Sequence, residues 1–174
     1  GELPQPLFKP LDEVWYTYIA GVGGMGINVV ASVLAQAGTR QGYAVRLTNK
    51  KGLAIRNGSV YSHLSFSPDQ RILSSITPYG GAQLLLGLDL LEAARGLDPR
   101  ERHKIASPGR TRAIVNAAST PTTNSLIGTD DFSLEEVAAL IARHTGEDQF
   151  CGIDLFGLCE QYLGNKLYAN IMML

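Results

Sequence analysis

Residues 18–26 read Tyr-Ile-Ala-Gly-Val-Gly-Gly-Met-Gly, and this stretch decides the fold. An apolar, β-favouring run from Val14 to Ala20 leads directly into its glycines. A segment with the apolar period of an amphipathic helix follows at once. The glycines at positions 21, 23 and 26 therefore have the Gly-x-Gly-x-x-Gly spacing of a strand–turn–helix unit, in the order that gives this spacing a meaning.

Each of the three glycines has an expected role. Gly21 should make the tight turn off the strand, Gly23 should let a ligand approach the main chain, and Gly26 should let the helix pack close to the sheet. The helix N-terminus then offers N–H groups and a partial positive charge to an anion, most often a phosphate. A plain tight turn with no ligand would use the same glycines, so both interpretations stay open.

Apolar periodicity predicts an alternation of strands and helices along the rest of the chain. The expected fold class is α/β, a three-layer α/β/α Rossmann-like domain with a mostly parallel, mixed sheet. The first two strands should form a right-handed βαβ unit, and the third and fourth an antiparallel hairpin. The predicted strands are residues 14–20, 43–48, 60–66, 71–76, 83–88, 113–116 and 150–155, and the predicted helices are 24–41, 90–95, 134–144, 156–163 and 166–174.

Two of the predicted helices begin with capping signals. Asp89 precedes the second helix and Glu92 follows three residues later, while Ser133 and Glu136 repeat this spacing before the third. Such pairs can satisfy the N–H groups that the first turn of a helix leaves without partners. Both helices are therefore predicted to start at these residues.

The end of the second strand reads Asn49, Lys50 and Lys51. A dinucleotide-binding fold for NAD has an acidic residue at this point, which accepts hydrogen bonds from the ribose hydroxyls. Two cations in place of a carboxylate disfavour NAD and FAD. They suit a ligand with a phosphate on its ribose, such as NADP or coenzyme A. The alternative is that both lysines are simply solvated.

Two further segments could line the same crevice as the glycine turn. Residues 52–58 form a glycine-bounded loop that contains Arg56. Asn116 ends a short buried strand and leads into the polar loop 117–124. Ligands of open α/β sheets bind outside the carboxyl ends of the strands, which is where this loop should lie. An ordinary Ser/Thr/Pro surface loop remains the alternative.

Composition excludes several classes of function. The net charge of −1 gives no general attraction to nucleic acid or to a membrane surface. No apolar run approaches the ~20 residues of a spanning helix, and no secretory signal is visible, so a cytoplasmic protein is expected. Cys151 and Cys159 form no metal or cluster pattern, and the three histidines have no ligand spacing. No catalytic acid–base pair, nucleophile or metal set is predicted.

The chain ends suggest a piece of a longer protein. Residues 1–13 contain three prolines and are interpreted as an extended linker. Residues 14–174 are then the folded domain, excised from a longer chain. The apolar C-terminal stretch favours either an excised piece or an end that docks on a neighbour, and an oligomer is expected.

Several segments together resemble the gamma subunit or gamma domain of 2-oxoacid:ferredoxin oxidoreductases, the pyruvate and indolepyruvate ferredoxin oxidoreductase family. The likeness covers residues 14–174 and is greatest to the fused, indolepyruvate-type chains, in which this domain follows a thiamine-diphosphate domain. It is carried by Gly-Val-Gly-Gly-Met-Gly at 21–26, Lys-Gly-Leu-Ala-Ile-Arg-Asn-Gly-Ser-Val-Tyr-Ser-His at 51–63, Leu-Leu-Leu-Gly-Leu-Asp at 84–89, Leu-Glu-Ala-Ala at 91–94 and Gly-Asn-Lys-Leu-Tyr-Ala-Asn-Ile-Met-Met-Leu at 164–174.

The resemblance implies a helper domain in a larger enzyme. The assembled enzyme decarboxylates a 2-oxoacid on thiamine diphosphate, passes electrons through iron–sulfur clusters to ferredoxin, and transfers the acyl group to coenzyme A. The thiamine and cluster sites are implied to lie on other domains of the enzyme, which would be this domain's partners. The gamma domain is implied to aid assembly and coenzyme A binding. Its cofactor contacts are expected at Gly21, Gly23, Gly24, Met25, Gly26, Lys50, Lys51, Arg56 and Asn116.

Two other functions compete with this hypothesis. The first is a stand-alone NADP-dependent reductase, although the Tyr-x-x-x-Lys pair common in such enzymes does not occur in the sequence. The second is a pure assembly scaffold with an empty glycine turn, which side chains packed over Gly23 and Gly24 would favour.

Overall fold

A computed structural model gives the fold of the chain and describes residues 9–51, 58–69, 74–97, 104–118, 120 and 133–174. Within these ranges the chain forms a six-stranded sheet flanked by helices. The strands are β1 Trp15–Val22, β2 Ala44–Lys51, β3 Ser59–Ser67, β4 Leu84–Gly87, β5 Arg112–Asn116 and β6 Phe150–Ile153. The helices are α1 Ile27–Arg40, α2 Leu90–Arg95, α3 Leu134–Thr145, α4 Leu155–Leu163 and α5 Ala169–Met172, with short 3₁₀ turns at Glu147–Gln149 and Lys166–Tyr168.

The strand order is β2-β3-β1-β4-β5-β6. β1, β4, β5 and β6 pair in parallel, while β3 pairs antiparallel with both β1 and β2. The predicted α/β fold with a mostly parallel, mixed sheet is therefore confirmed. β1 and β2 run in the same direction, as expected of a βαβ unit, and β3 lies between them.

The predicted hairpin between residues 60–66 and 71–76 is wrong. β1 and β2 occupy both edges of β3, which leaves no edge for a third partner. Residues 74–76 are not in a strand, and residues 71–73 lie outside the described part of the chain. The antiparallel component of the sheet comes instead from β3 itself.

The sheet separates two apolar cores because successive side chains of a strand point to opposite faces. On one face, Tyr18 and Leu85 pack with α2 and with Ile141 of α3. On the other face, Ile19 and Leu86 pack with α1, α4 and α5. Parallel strands need cover on both faces, which the two helical layers supply. The three-layer arrangement predicted from the sequence is therefore present.

Both predicted helix starts are correct in position, but only one is capped as expected. The Asp89 side chain accepts a hydrogen bond from the Glu92 backbone N–H at 3.0 Å. Ser133 occupies the equivalent position before α3 with an extended backbone, but its side chain makes no cap hydrogen bond. The capping box predicted from Ser133 and Glu136 is wrong because the spacing allows this hydrogen bond without fixing the serine rotamer.

Candidate functional site

The glycine turn, residues 23–26, connects β1 to α1 at the carboxyl end of β1. The Gly23 N–H donates to the Gly58 carbonyl at 3.0 Å, and the Met25 N–H donates to the Val22 carbonyl at 3.1 Å. Gly24 and Gly26 have φ angles of 98° and 76°, a region that side-chain-bearing residues rarely adopt. The turn thus depends on glycine at positions 24 and 26.

The structure exchanges the roles expected of Gly21 and Gly26. Gly21 lies inside β1, where a Cβ atom would come within 2.5 Å of the Ile27 side chain at the start of α1. It is Gly21 that lets the helix approach the sheet. Gly26 instead takes the left-handed conformation at the N-cap of α1. The spacing alone does not distinguish a close-packing glycine from a turning one.

The glycine turn is open on one side and covered on the other. Gly23 and Gly24 are exposed, and a Cβ atom on Gly24 would meet nothing within 4 Å. At Gly26 the Asn170 side-chain amide from α5 occupies the space where a Cβ atom would lie. The α1 N-terminus has no side-chain cap and no acidic residue in its first turn. An anion could therefore approach from the Gly24 side, where it would meet the positive end of the helix.

Lys50 and Lys51 lie at the same edge of the sheet as the glycine turn, but two strands away. The ladders pair Lys51 with Val60 and Val22 with Ser59, so β3 separates the ends of β1 and β2. Neighbouring strands are about 4.8 Å apart, which puts the two ends roughly 10 Å from each other. Lys50 is exposed. The Lys51 side chain and the whole of Arg56 lie outside the described residues.

Lys50 also projects from a different face than the turn. It lies opposite Tyr61 in the ladder, and directly opposite residues point to the same face of a sheet. The Tyr61 face is the one that packs on α2, whereas α1 packs on the other face. Lys50 lies on the edge strand β2, and its contact with a ligand at the turn stays a prediction.

Asn116 connects three elements through its side-chain amide. Its Oδ1 atom accepts hydrogen bonds from the Leu155 N–H at 3.1 Å and the Ala118 N–H at 3.2 Å. Its Nδ2 group donates to the Leu88 carbonyl at 3.3 Å. The side chain is buried, so these contacts hold the ends of β4 and β5 and the start of α4 together. Whether it also contacts a cofactor stays a prediction.

Sequence reasoning missed a chain of buried polar groups along this edge. The Thr120 hydroxyl donates to Asp89 Oδ2 at 2.6 Å, and Asp89 Oδ1 caps α2 at the Glu92 N–H. The Glu92 carboxylate lies beside the Ser59 side chain, which acts to lower its pKa, and it pairs with Arg95 at 3.2 Å. We call Thr120, Asp89, Glu92 and Ser59 the edge network.

The edge network reaches the glycine turn through the backbone. Ser59 is the ladder partner of Val22, the last residue of β1. The neighbouring Gly58 carbonyl holds the Gly23 N–H. Glu92 thus fixes the start of β3 next to the turn. The capping pattern at Asp89 and Glu92 indicated the helix start, but not the contact of Glu92 with a strand more than thirty residues away.

Burial dominates the electrostatics of this region. The Glu92 side chain is only 3% exposed, and burial raises its pKa, while Ser59 and Arg95 act in the opposite direction. Burial also raises the pKa of Tyr18 well above its usual range, with further contributions from Tyr61 and Glu92. The neighbouring Asp89 carboxylate adds to the upward shift at Glu92, and the Tyr18 hydroxyl stays protonated.

Three rings pack together beneath α2. The Tyr18, Tyr61 and His63 ring centroids are 5.1–5.6 Å apart. His63 Nδ1 accepts a hydrogen bond from the Thr77 N–H at 3.0 Å. The alternation at residues 60–66 placed Tyr61 and His63 on one face, but only the pairing with β1 brings Tyr18 beside them.

The described part of the chain shows neither a metal-binding cluster nor a membrane-spanning helix. Within the described ranges, no group of three or more His, Cys, Asp or Glu residues is placed to hold a metal ion. Among the described helices, none combines the length and apolarity that crossing a bilayer requires. Cys151 and Cys159 are free thiols, the first exposed and the second buried.

Comparison with protein families and curated sequences gives consistent matches. Residues 17–174 match the family model described as pyruvate ferredoxin/flavodoxin oxidoreductase. The indolepyruvate oxidoreductase subunit IorB of Pyrococcus horikoshii is 28% identical over 160 residues, which are 90% of this chain and 72% of that protein. IorB of Thermococcus kodakarensis is 27% identical over 157 residues, with the same shares of the two chains covered.

Solved structures share the fold at low sequence identity. The pyruvate oxidoreductase subunit PORC of Thermotoga maritima superposes with a TM-score of 0.58 at 16% identity, covering 93% of this chain and 73% of that one. A 2-oxoglutarate:ferredoxin oxidoreductase from Magnetococcus marinus gives a TM-score of 0.62 at 15% identity, covering 94% of this chain and 24% of that one. The latter was solved with 2-oxoglutarate, coenzyme A and succinyl-CoA bound.

Proposed function

Because the chain belongs to the pyruvate ferredoxin/flavodoxin oxidoreductase family, we propose that it is the gamma-type component of an indolepyruvate-type 2-oxoacid:ferredoxin oxidoreductase. Its curated relatives are subunits of indolepyruvate oxidoreductases, and the chain is accordingly part of an oxidoreductase complex. The relatives' names support an aryl 2-oxoacid as the substrate class. Ferredoxin is then the electron acceptor of the complex.

The proposed role of this chain is to assist the chemistry and not to perform it. Thiamine diphosphate and the iron–sulfur clusters would be held by partner subunits or domains. In support, the buried acids of the described residues serve structural purposes: Asp89 caps α2, and Glu92 joins Arg95 and Ser59. His63 holds the backbone of Thr77. These groups are occupied in maintaining the sheet edge.

The glycine turn is proposed to contact coenzyme A. The observation that carries this proposal is the open space at Gly24, beside the uncapped start of α1. A phosphate there would be favoured by backbone N–H groups and by the helix dipole. When bound, coenzyme A supplies the thiol that takes the acyl group. The turn residues 23–26 would hold its anionic part, with Lys50, Lys51 and Arg56 as further cationic contacts.

The lysine contribution can be tested by calorimetric titration of the chain with coenzyme A and with dephospho-coenzyme A. If the lysines bind the ribose 3′-phosphate, dephospho-coenzyme A should bind about tenfold more weakly, a loss of ~1.4 kcal/mol. Lys50→Gln should reduce this difference, whereas Lys166→Gln, an exposed lysine near the C-terminus, should preserve it. Equal binding of both ligands would remove the role of the lysines, and failure of both to bind would argue against the site.

The pure scaffold is the second candidate function. It is favoured by the Asn170 amide, which covers the Gly26 side of the turn. The exposure of Gly23 and Gly24 supports the coenzyme A proposal instead. The titration separates the two candidates, because a scaffold would bind neither form of the coenzyme while still assembling with its partner subunits.

A further inference from the structure

The C-terminal segment presents apolar side chains on both of its sides. Ala169 and Met173 of this segment are buried against the core that contains α1 and α4. Leu167, Ile171 and Leu174 follow one another at spacings of four and three residues, and they are exposed. Apolar side chains on a second side of a helical segment normally pack against another element or a partner. Its outer side is therefore suited to a partner.

Tyr162 and Leu163, at the end of α4, and Tyr168 enlarge this outer surface. α4 packs against the 3₁₀ turn at Lys166–Tyr168 and against α5. We call the exposed apolar surface the C-terminal patch. Its members are each between 47% and 73% exposed, and they are Tyr162, Leu163, Leu167, Tyr168, Ile171 and Leu174.

The patch is large enough for a stable contact. An aromatic side chain carries roughly 150–250 Å² of surface, so six large side chains that are about half exposed present on the order of 600 Å². Monomeric proteins rarely expose contiguous apolar patches above a few hundred Å². A standard interface takes about 800 Å² from each partner, so most of one side of such an interface is present.

Charge favours a second copy of this chain as the partner. Residues 155–174 contain one acid, Glu160, and one base, Lys166, and both are exposed. Two copies related by a two-fold axis would meet without net repulsion, and Lys166 of one copy could pair with Glu160 of the other. A patch with one charge of each sign is thus complementary to itself.

We propose that the C-terminal patch is a homodimer interface. Two copies bury their Tyr162–Leu174 surfaces against each other across a two-fold axis, and Glu160 and Lys166 pair at the margins. This inference is independent of the coenzyme A contact, because it uses none of the turn residues and its test requires no ligand.

Sedimentation velocity of the chain over a dilution series tests the dimer. The expected result is a dimer with a dissociation constant at or below about 1 μM, the weak end for interfaces of this size. Ile171→Glu should raise this constant about 100-fold or more, because it would bury a charge without a partner. Tyr79→Glu is the matched control, since Tyr79 is an exposed apolar side chain outside the patch. Circular dichroism verifies that each variant is folded.

A charge exchange tests the two-fold geometry. Lys166→Glu should weaken the dimer about tenfold by placing like charges together, and adding Glu160→Lys to it should restore most of the affinity. A chain that stays monomeric throughout the dilution series overturns the proposal. A dimer that tolerates Ile171→Glu also overturns it, as does a monomer in which Ile171→Glu weakens binding to a partner subunit of the oxidoreductase.

Discussion

At the residue scale, Glu92 shows how a local sequence pattern and its structural environment can differ. The pattern Asp-x-x-Glu at 89–92 predicted a helix start, and the Asp89 cap confirms it. The same pattern is typical of a solvated glutamate on the first turn, yet the Glu92 side chain is buried against Ser59. Glu92 is buried by β3, which is distant in sequence, so the residues around Glu92 do not indicate this burial.

Glu92 should make stability depend on pH. Its pKa is raised from 4.5 in the folded chain, so the folded chain binds more protons than the unfolded chain between the two pKa values. The free energy of unfolding contributed by this group is therefore greatest below about pH 4.5 and falls as the pH rises through the raised pKa. Glu92→Gln should remove this slope, which urea unfolding between about pH 4.5 and 7 would measure.

The control for this prediction is Glu135→Gln, which changes an exposed glutamate on α3. This variant should keep the wild-type slope between about pH 4.5 and 7, because Glu92 is left in place. A constant difference between wild type and Glu92→Gln across the window would show that the buried carboxyl group does not titrate there.

The two left-handed glycines of the turn should respond differently to substitution. Gly24→Ala adds a methyl group in open space, so only backbone strain opposes it, about 1 kcal/mol. Gly26→Ala has the same kind of strain and must also displace the Asn170 amide. We expect it to cost roughly 1 kcal/mol more in the free energy of unfolding.

Chemical denaturation of the two alanine variants measures this difference, and Asn170→Ala provides the control. Combined with Gly26→Ala, it should remove the extra cost, because the space beside Gly26 is then vacant. Equal stabilities of Gly24→Ala and Gly26→Ala would show that the contact with Asn170 has no energetic weight.

At the element scale, the Asn116 side chain holds the ends of β4 and β5 to the start of α4. Asn116→Ala would leave the Leu155 N–H, the Ala118 N–H and the Leu88 carbonyl without their shared partner. A buried polar group without a hydrogen bond costs roughly 1–3 kcal/mol, so a total loss of about 3 kcal/mol is expected. Thermal and chemical unfolding measure it. Asn28→Ala, on the exposed side of α1, should change stability by less than about 0.5 kcal/mol.

Element positions were largely predictable from the sequence, whereas the order of the strands was not. Alternation at residues 60–66 correctly indicated a strand, and Gly146 and Gly164 correctly marked the ends of α3 and α4. The insertion of β3 between β1 and β2 depends on hydrogen bonding between residues far apart in the sequence. The alternation of apolar and polar residues shows only which side chains share a face of a strand, not which strands pair. This same insertion separates Lys50 from the glycine turn.

At the scale of the whole molecule, the candidate site was predictable only in part. The glycine spacing located the turn, because a tight connection from a strand to a helix requires glycines at nearby positions of the sequence. The edge network was not predictable, because Thr120, Asp89 and Ser59 come together only when β3, β4 and β5 align. That the chain belongs to a larger enzyme was inferred from the family resemblance, because no single motif in the chain indicates it.

We propose that the open glycine turn receives the anionic part of coenzyme A while the bond-breaking steps occur on partner subunits. The most direct test is the KM for coenzyme A of the assembled oxidoreductase carrying Gly24→Asn, a substitution that tolerates a positive φ but fills the open space. We expect this variant to raise the KM for coenzyme A about tenfold or more and to leave the KM for the 2-oxoacid unchanged. An assembled enzyme whose KM for coenzyme A is unaffected would contradict the proposal.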